Sequence, residues 1–413
     1  MLRERLENAL WGALIGDAIG MPSHWYYSPE ELASDFPEGI SWYREPPHPH
    51  PSSFLVGARY QPDTTTADSL HRPFDILQEH APFYRTTYSR FAFTTDARES
   101  AHGNATTQAP ERYHYHHGLA AGENTLGAEL VRLLMRSVTE RGGYSQQGFL
   151  DDFIDFMTSP GTVRDPYRET YLRKWFEAYA SGRAPENCAE HQRHRWSIAS
   201  HGGMVRPLVL SLLNVDNQPL ATGMAVTHQQ LTHRSELVSA GLALFIPMLS
   251  RLVSGATFQQ VLKDKAPMIR KPAVSGDALG REYQRAQGPG NIGHERMWRL
   301  HMDYNGHDEE LLRDARHEEL PGPYARACYP EHGIPLLLRT AHSHDGDLYS
   351  SLCANAGIGG DTVHRGMILG MLLGATQGID ARLKEGLARH DAIADEIDGF
   401  VDVALSGSGH MVV

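Results

Sequence analysis

Cysteine is nearly absent from this 413-residue chain. The three present, Cys188, Cys328 and Cys353, lie far apart and form no C-x-x-C pair. That excludes a disulfide framework or a zinc knuckle and points to a reducing compartment. Long apolar runs are missing as well. No stretch reaches about 18 uninterrupted apolar residues, so no membrane span is expected. The opening MLRERLENALWGALIGDAIG is amphipathic but broken by charges, and no A-x-A site follows a clean apolar stretch. It does not read as a signal peptide, and a cytoplasmic protein is expected. Basic charge is short: 38 Lys and Arg stand against 50 Asp and Glu, a net charge of −12. Neither a nucleic-acid backbone nor an anionic membrane is expected as partner; a small-molecule partner fits better. Period-two alternation is scarce and no βαβ rhythm appears, which leaves an all-α fold.

What the chain does have is histidine, 24 residues of it. Many fall in clusters, His114, His116 and His117 in one, His191, His194 and His201 in another. Solvated loops, metal ligands and proton carriers near neutral pH are all open readings. Helical spacing is clear at Leu2, Leu6, Leu10, Ala13 and Leu14, and predicts a helix over 2–20. Helices are also expected at 126–138, around 146–157 and 168–181, at 203–213, 236–254 and 363–378, and from 333 onward. Gly12, Gly16 and Gly20 share one stripe of the first helix. Gly366, Gly370, Gly374 and Gly378 share one stripe of the last of these. Each such glycine costs about 1 kcal/mol relative to alanine, so close packing, of the two stripes against other elements or each other, is expected in return. Proline-rich residues 36–112 and charged residues 264–325, with QGPGN at 287–291, predict long irregular excursions. The first of these adjoins Trp25, Tyr26, Tyr27, Trp42 and Tyr43, aromatic side chains suited to stacking on a purine or sugar, or to lid packing.

Three polar clusters sit at helix edges: GDAIGMPSHW (16–25), HHGLAAGENT (116–125) and GIGGDTVHRG (357–366). Asp361 suits a helix N-cap, Glu123 and Asn124 a helix start, and Asp17 a structural role. Arg206 suits a phosphate contact, because guanidinium matches phosphate oxygens as a fork, or an ion pair. Taken together, the clusters resemble the ADP-ribosylglycohydrolase family, which includes bacterial dinitrogenase-reductase-activating glycohydrolases. GALIGDAIGMP resembles its opening GAL-x-GDA-x-G-x-P segment. SHGGMVRPLVL (200–210) resembles its NG-x-x-MR-x-x-P segment, and VTHQQLTHRSELVSAGLAL (226–244) a histidine-led helix. ANAGIGGDTVHRGMILGMLLGATQG (354–378) resembles its closing GGDTDT segment. The similarity runs in order along nearly the whole chain and implies one helical domain over residues 1–413.

The resemblance also implies two Mg²⁺ or Mn²⁺ ions in a central cleft, held by a TDDT and a DTDT motif. Hard cations of this kind take oxygen ligands and activate water, while a carboxylate stabilises the oxocarbenium-like state of glycoside cleavage. Here GENT (122–125) stands for the first motif, DTVH (361–364) for the second, and His24 for a family glutamate. Two carboxylates remain where four are expected. On the resemblance, metal contacts fall to Glu123, Asn124, Asp361 and His364, and substrate contacts to Gly122, Asn124, Gly202, Gly203, Arg206, Gly359 and Gly360. His24, Glu123 and Asp361 are the expected catalytic groups; His24 and His364, with Glu123, Asp361 and His116 or His117, could also hold a single borderline metal. One Mg²⁺ or Mn²⁺ is expected rather than two; Zn²⁺ and a metal-free acid–base pair are equally open. The function implied is hydrolysis of an N- or O-glycosidic bond in an ADP-ribosylated or other ribosylated substrate. The alternative is a non-catalytic binding or structural protein on the same scaffold, as in crystallin-like relatives.

Overall fold

A computed structural model describes residues 1–84, 112–265, 269, 275, 278, 320–322 and 324–407. In chain order its helices are α1 (Leu2–Gly20), α2 (Pro29–Asp35), α3 (Thr64–Ser69), α4 (Leu126–Arg141), α5 (Gln146–Thr158), α6 (Thr170–Ala180), α7 (Gly202–Ser211), α8 (Gln218–Gln230), α9 (Glu236–Val253), α10 (Phe258–Lys263), α11 (Pro330–Ser343), α12 (Leu348–Ile358), α13 (Thr362–Gly374), α14 (Ala381–Glu385) and α15 (His390–Leu405). Among the described residues no strand forms, and one isolated bridge joins His191 to Arg234. The fold is all-α.

The axis of the fold is the pair α1 and α13, which pack on each other more extensively than any other two helices. A Cβ on Gly12 would lie 2.1 Å from the Gly370 carbonyl oxygen, and one on Gly16 2.1 Å from that of Gly366. At Gly20 it would meet the Thr362 carbonyl oxygen at 2.6 Å. The two stripes are glycine because the two backbones touch. The propensity cost of each glycine is offset by the dense contact that only a bare backbone allows. One contiguous core, from Leu6 near the start to Val403 near the end, surrounds this axis. Helix α9 is long and apolar enough to cross a membrane, yet 67% of that window is buried inside the protein. It is a core helix of the bundle.

Local capping explains how α1 fixes its neighbour α4. The Thr125 side chain does not cap α4. Asp17 of α1 does so from outside, accepting the Thr125 amide at 2.8 Å, its hydroxyl at 2.6 Å and the Asn124 side-chain amide at 3.0 Å. Asp17 is therefore structural. Residues 36–84 form short helical turns and irregular chain, as the prolines predict. Residues 85–111, the segment 287–291 and most of 264–325 lie outside the described residues.

Candidate active site

Five chain segments bring their polar groups to one place. His24 follows the tight turn Met21–Ser23 that closes α1. His116 lies in the turn before α4, and Asp165 and Glu169 in the run that enters α6. His201 immediately precedes α7. Asp361 sits at the N-cap position of α13, and His364 in that helix's first turn.

Asp361 does not cap its helix. Its carboxylate instead accepts from His201 Nδ1 at 2.8 Å and from His364 Nδ1 at 2.7 Å. His364 Nε2 in turn lies 3.4 Å from Glu169, so one imidazole bridges two carboxylates. Asp361 and His201 are fully buried, while Glu169 keeps 18% of its side chain exposed. Burial opposes charge on Asp361, but the positive charge of His364 and the imidazoles of His201, His24 and His364 around it hold its carboxyl well below the usual range. Burial likewise opposes charge on His364, and the two acids outweigh it and raise it well above. His364 is thus held as an imidazolium between the two acids.

Behind Asp361 runs a second chain. His24 Nε2 faces Asp361 Oδ1 at 3.5 Å, and His24 Nδ1 lies 2.7 Å from His116 Nε2. His116 Nδ1 meets Asp165 at 2.9 Å. Burial drives the His24 ring down to about 3, against the pull of Asp361. In front of Asp361 and His364 opens a cavity of about 620 Å³. Trp25, Tyr27, Phe54, Tyr167, Tyr171, Trp196 and Tyr329 supply aromatic walls, and Glu169, Asp361 and His364 the acid–imidazole face. Trp25 adopts a left-handed backbone (φ 64°), a strained state for a bulky residue that recurs at ligand sites. Its amide bond to the Gly360 carbonyl at 2.7 Å helps to hold it.

The structure brings His24, His116, Asp361 and His364 together and sends the other expected residues elsewhere. Glu123 does not face the cavity: its carboxylate pairs with the exposed Arg164 and accepts the Ala120 amide at 2.7 Å. Asn124 directs its side-chain amide to Asp17 and to the Leu14 carbonyl. Gly122, with φ +80°, gives room to the Gly386 carbonyl at the start of the segment leading to α15. Arg206 is buried rather than at a phosphate subsite or in an ion pair, donating to the Tyr171 and Thr232 hydroxyls. Gly202 and Gly203 make space for the rings of His364 and His233. Gly359 and Gly360, both at positive φ, press against the carbonyls of Tyr26 and Arg326, and their amides bond to Ala356 and Tyr26. Their backbone donors are already engaged. His117 packs against His48, Phe83 and Tyr113. Of the aromatic group, Trp25 and Tyr27 line the cavity, Tyr26 and Tyr43 are buried, and Trp42 is 41% exposed.

Asp165 and Glu169 carry much of the site's charge, and sequence reading missed both. TVRDPYRET has no motif spacing, and its only signal is an acid just ahead of a helix, which reads as a cap. His201 belongs to one of the histidine clusters, but nothing in the spacing tied it to Asp361.

A family model of ADP-ribosylglycohydrolases matches residues 1–409, and the chain belongs to that family of glycohydrolases acting on ADP-ribosyl substrates. Among solved structures it is similar to one titled "ADP-ribosylglycohydrolase-related protein complex", at 14% identity and a TM-score of 0.51. That match covers 98% of this chain and 99% of the other, and shows the fold. No curated protein sequence matches. The family's pair of hard cations does not fit the residues present. Of the first motif, Glu123 is tied to Arg164, and Asn124 and Thr125 to Asp17. Asp361 is left as the sole motif carboxylate, ringed by three imidazoles. Such a donor set lacks the oxygen ligands that magnesium requires.

Proposed function

We propose that the chain hydrolyses an N- or O-glycosidic bond of a ribosylated substrate bound in the aromatic cavity. The observation that carries this reading is the Glu169–His364–Asp361 arrangement at the cavity face. Glycoside cleavage needs a proton for the leaving group and a carboxylate for water and the oxocarbenium-like carbon. The Nε2–H of His364 is placed to supply the proton, and Glu169, the most exposed of the three, to take the proton of the attacking water. Asp361, at the wall of the cavity, fixes the ring of His364 through Nδ1, as the third member of a triad orients its base. After bond cleavage Glu169 is protonated and His364 neutral. One proton transfer across the short gap between them restores both. The aromatic walls suit a base or sugar face.

The test is a panel of ADP-ribosyl-arginine, ADP-ribosyl-serine, and simple ribosides, scored for release of the aglycone. Turnover in the wild type that is lost in Glu169→Gln and His364→Ala supports the reading. Stabilisation by ADP-ribose or a riboside without turnover of any compound would assign the chain to the non-catalytic alternative, since a ligand of the native state raises the unfolding midpoint by mass action.

A further inference from the structure

Behind Asp361 one imidazole is held by its far nitrogen. Asp165 accepts the Leu126 amide at 2.8 Å and the Tyr167 amide at 3.0 Å and meets His116 Nδ1 at 2.9 Å. His116 Nε2 in turn lies 2.7 Å from His24 Nδ1. The other nitrogen of His24, Nε2, is buried, has no hydrogen-bond partner and faces a carboxylate oxygen 3.5 Å away, beyond the length of a direct hydrogen bond. A nitrogen and an oxygen so placed leave room for a cation between them.

We infer that His24, Asp361 and His364 form a site for one borderline transition cation of the zinc class, with His116 and Asp165 as the positioning pair that holds the His24 ring with Nε2 toward Asp361. The three residues each offer one ligand atom within 4.8 Å of the others. A nitrogen and an oxygen bound to the same tetrahedral zinc at about 2.0–2.1 Å lie roughly 3.4 Å apart, close to the observed separation of His24 and Asp361. Two imidazoles and one carboxylate are a set that selects zinc-like ions over magnesium or calcium. The surrounding bonds are those a ligand set requires. His24 is backed by His116 and Asp165, and Asp361 by His201 Nδ1 at 2.8 Å. His364 joins through Nδ1, releasing to solvent the proton it now shares with Asp361 and keeping Nε2–H toward Glu169. One proton leaves as one dication enters, which is the usual coupling of metal binding to deprotonation. Because Asp361 and His364 both border the cavity, the fourth position opens toward it.

This site shares Asp361 and His364 with the catalytic reading, but its filling is read from metal content and spectrum, whether or not any glycoside is cleaved. The experiment is to strip the full chain with a chelator and titrate it with Co²⁺. The visible absorption of low-symmetry cobalt and the metal content after desalting are read, followed by competition with Zn²⁺ and with Mg²⁺. The expected result is about one cobalt per chain, displaced by zinc and not by magnesium. His24→Gln abolishes the spectrum, and Asp165→Asn weakens binding about 10–100-fold while circular dichroism shows both variants folded. Absence of stoichiometric cobalt in the wild type overturns the inference. So does a spectrum unchanged in both variants, or displacement by magnesium at comparable concentration. Should either variant fail to fold, the other and His116→Gln, read the same way, decide the matter.

Discussion

The contact between α1 and α13 and the histidine–carboxylate cluster lie end to end along the same two helices, yet they are built on opposite principles. The contact is repetitive: Gly12, Gly16 and Gly20 meet Gly370, Gly366 and Thr362 backbone to backbone, and each added atom is a collision. The cluster is singular. Its members come from five segments, and each side chain has its own partner. A repeated contact is tolerant in kind and intolerant in size. A polar cluster is tolerant in size and intolerant in kind, because every replaced group leaves a buried neighbour unpartnered.

The sharpest way to break that contrast is a methyl group on the axis. Gly16→Ala places a Cβ 2.1 Å from the Gly366 carbonyl oxygen, and is expected to cost about 3 kcal/mol or more. Gly223→Ala, in α8 with nothing within 4 Å, is expected to stabilise by up to about 1 kcal/mol. Chemical denaturation of the pair checks both; equal effects would show that the stripes are not a backbone contact. Next in size is the cluster itself. Asp361→Ala removes the acceptor of His201 and His364 from a fully buried site, and is expected to cost about 3–5 kcal/mol, as when one partner of a buried pair is deleted.

Smaller in energy but larger in rate, Glu169→Gln is expected to lower turnover of any panel substrate by about 10²–10⁴. Glu123→Gln should leave that turnover unchanged and shift stability by less than about 1 kcal/mol, since it loses only a partly exposed ion pair with Arg164. Steady-state rates of the two variants side by side test whether the acid of the GENT segment or the acid ahead of α6 does the chemistry.

The last effect is one of pH. Burial holds His228, wedged between Tyr144 and Phe149, well below its ordinary value, and holds His50 down to about 4. A histidine whose folded value is depressed contributes fully above about 6.5 and loses that contribution as pH falls below it. Each should then remove about 1.4 kcal/mol per pH unit, His50 down to about pH 4. Urea midpoints between pH 7 and pH 5 should fall, and His228→Gln should flatten the slope by one histidine's worth. An identical slope in that variant would mean that His228 takes up protons alike in the folded and the unfolded chain.

Much of the helix content was legible because periodicity is a local property. The spans around 126–138, 146–157, 236–254 and 363–378 correspond to α4, α5, α9 and α13. Even the meeting of the two glycine stripes could be anticipated, since three glycines in register weaken a helix unless a close neighbour repays the loss. Asp17 was rightly taken as structural, although the amide it caps belongs to another helix. In the candidate site, His24, Asp361 and His364 were legible because a family pattern set them beside known motif positions. Glu123 was assigned by the same pattern and misplaced. Position in a motif does not say which way a side chain turns, and Arg164 was nearer than the cavity.

By itself the sequence determined the helices, the glycine seam and the family, all of which rest on spacing along the chain. Only the tertiary structure decided the chemistry of the site. It turned Asp361 from a helix cap into the hub of three imidazoles, recruited Asp165 and Glu169 from a stretch with no signal, and left one buried nitrogen of His24 without a hydrogen-bond partner. The physical reason is range. Periodicity acts over one or two turns of a helix, whereas a buried charge is satisfied by whatever donor the packed core brings within about 3 Å, however far away in sequence.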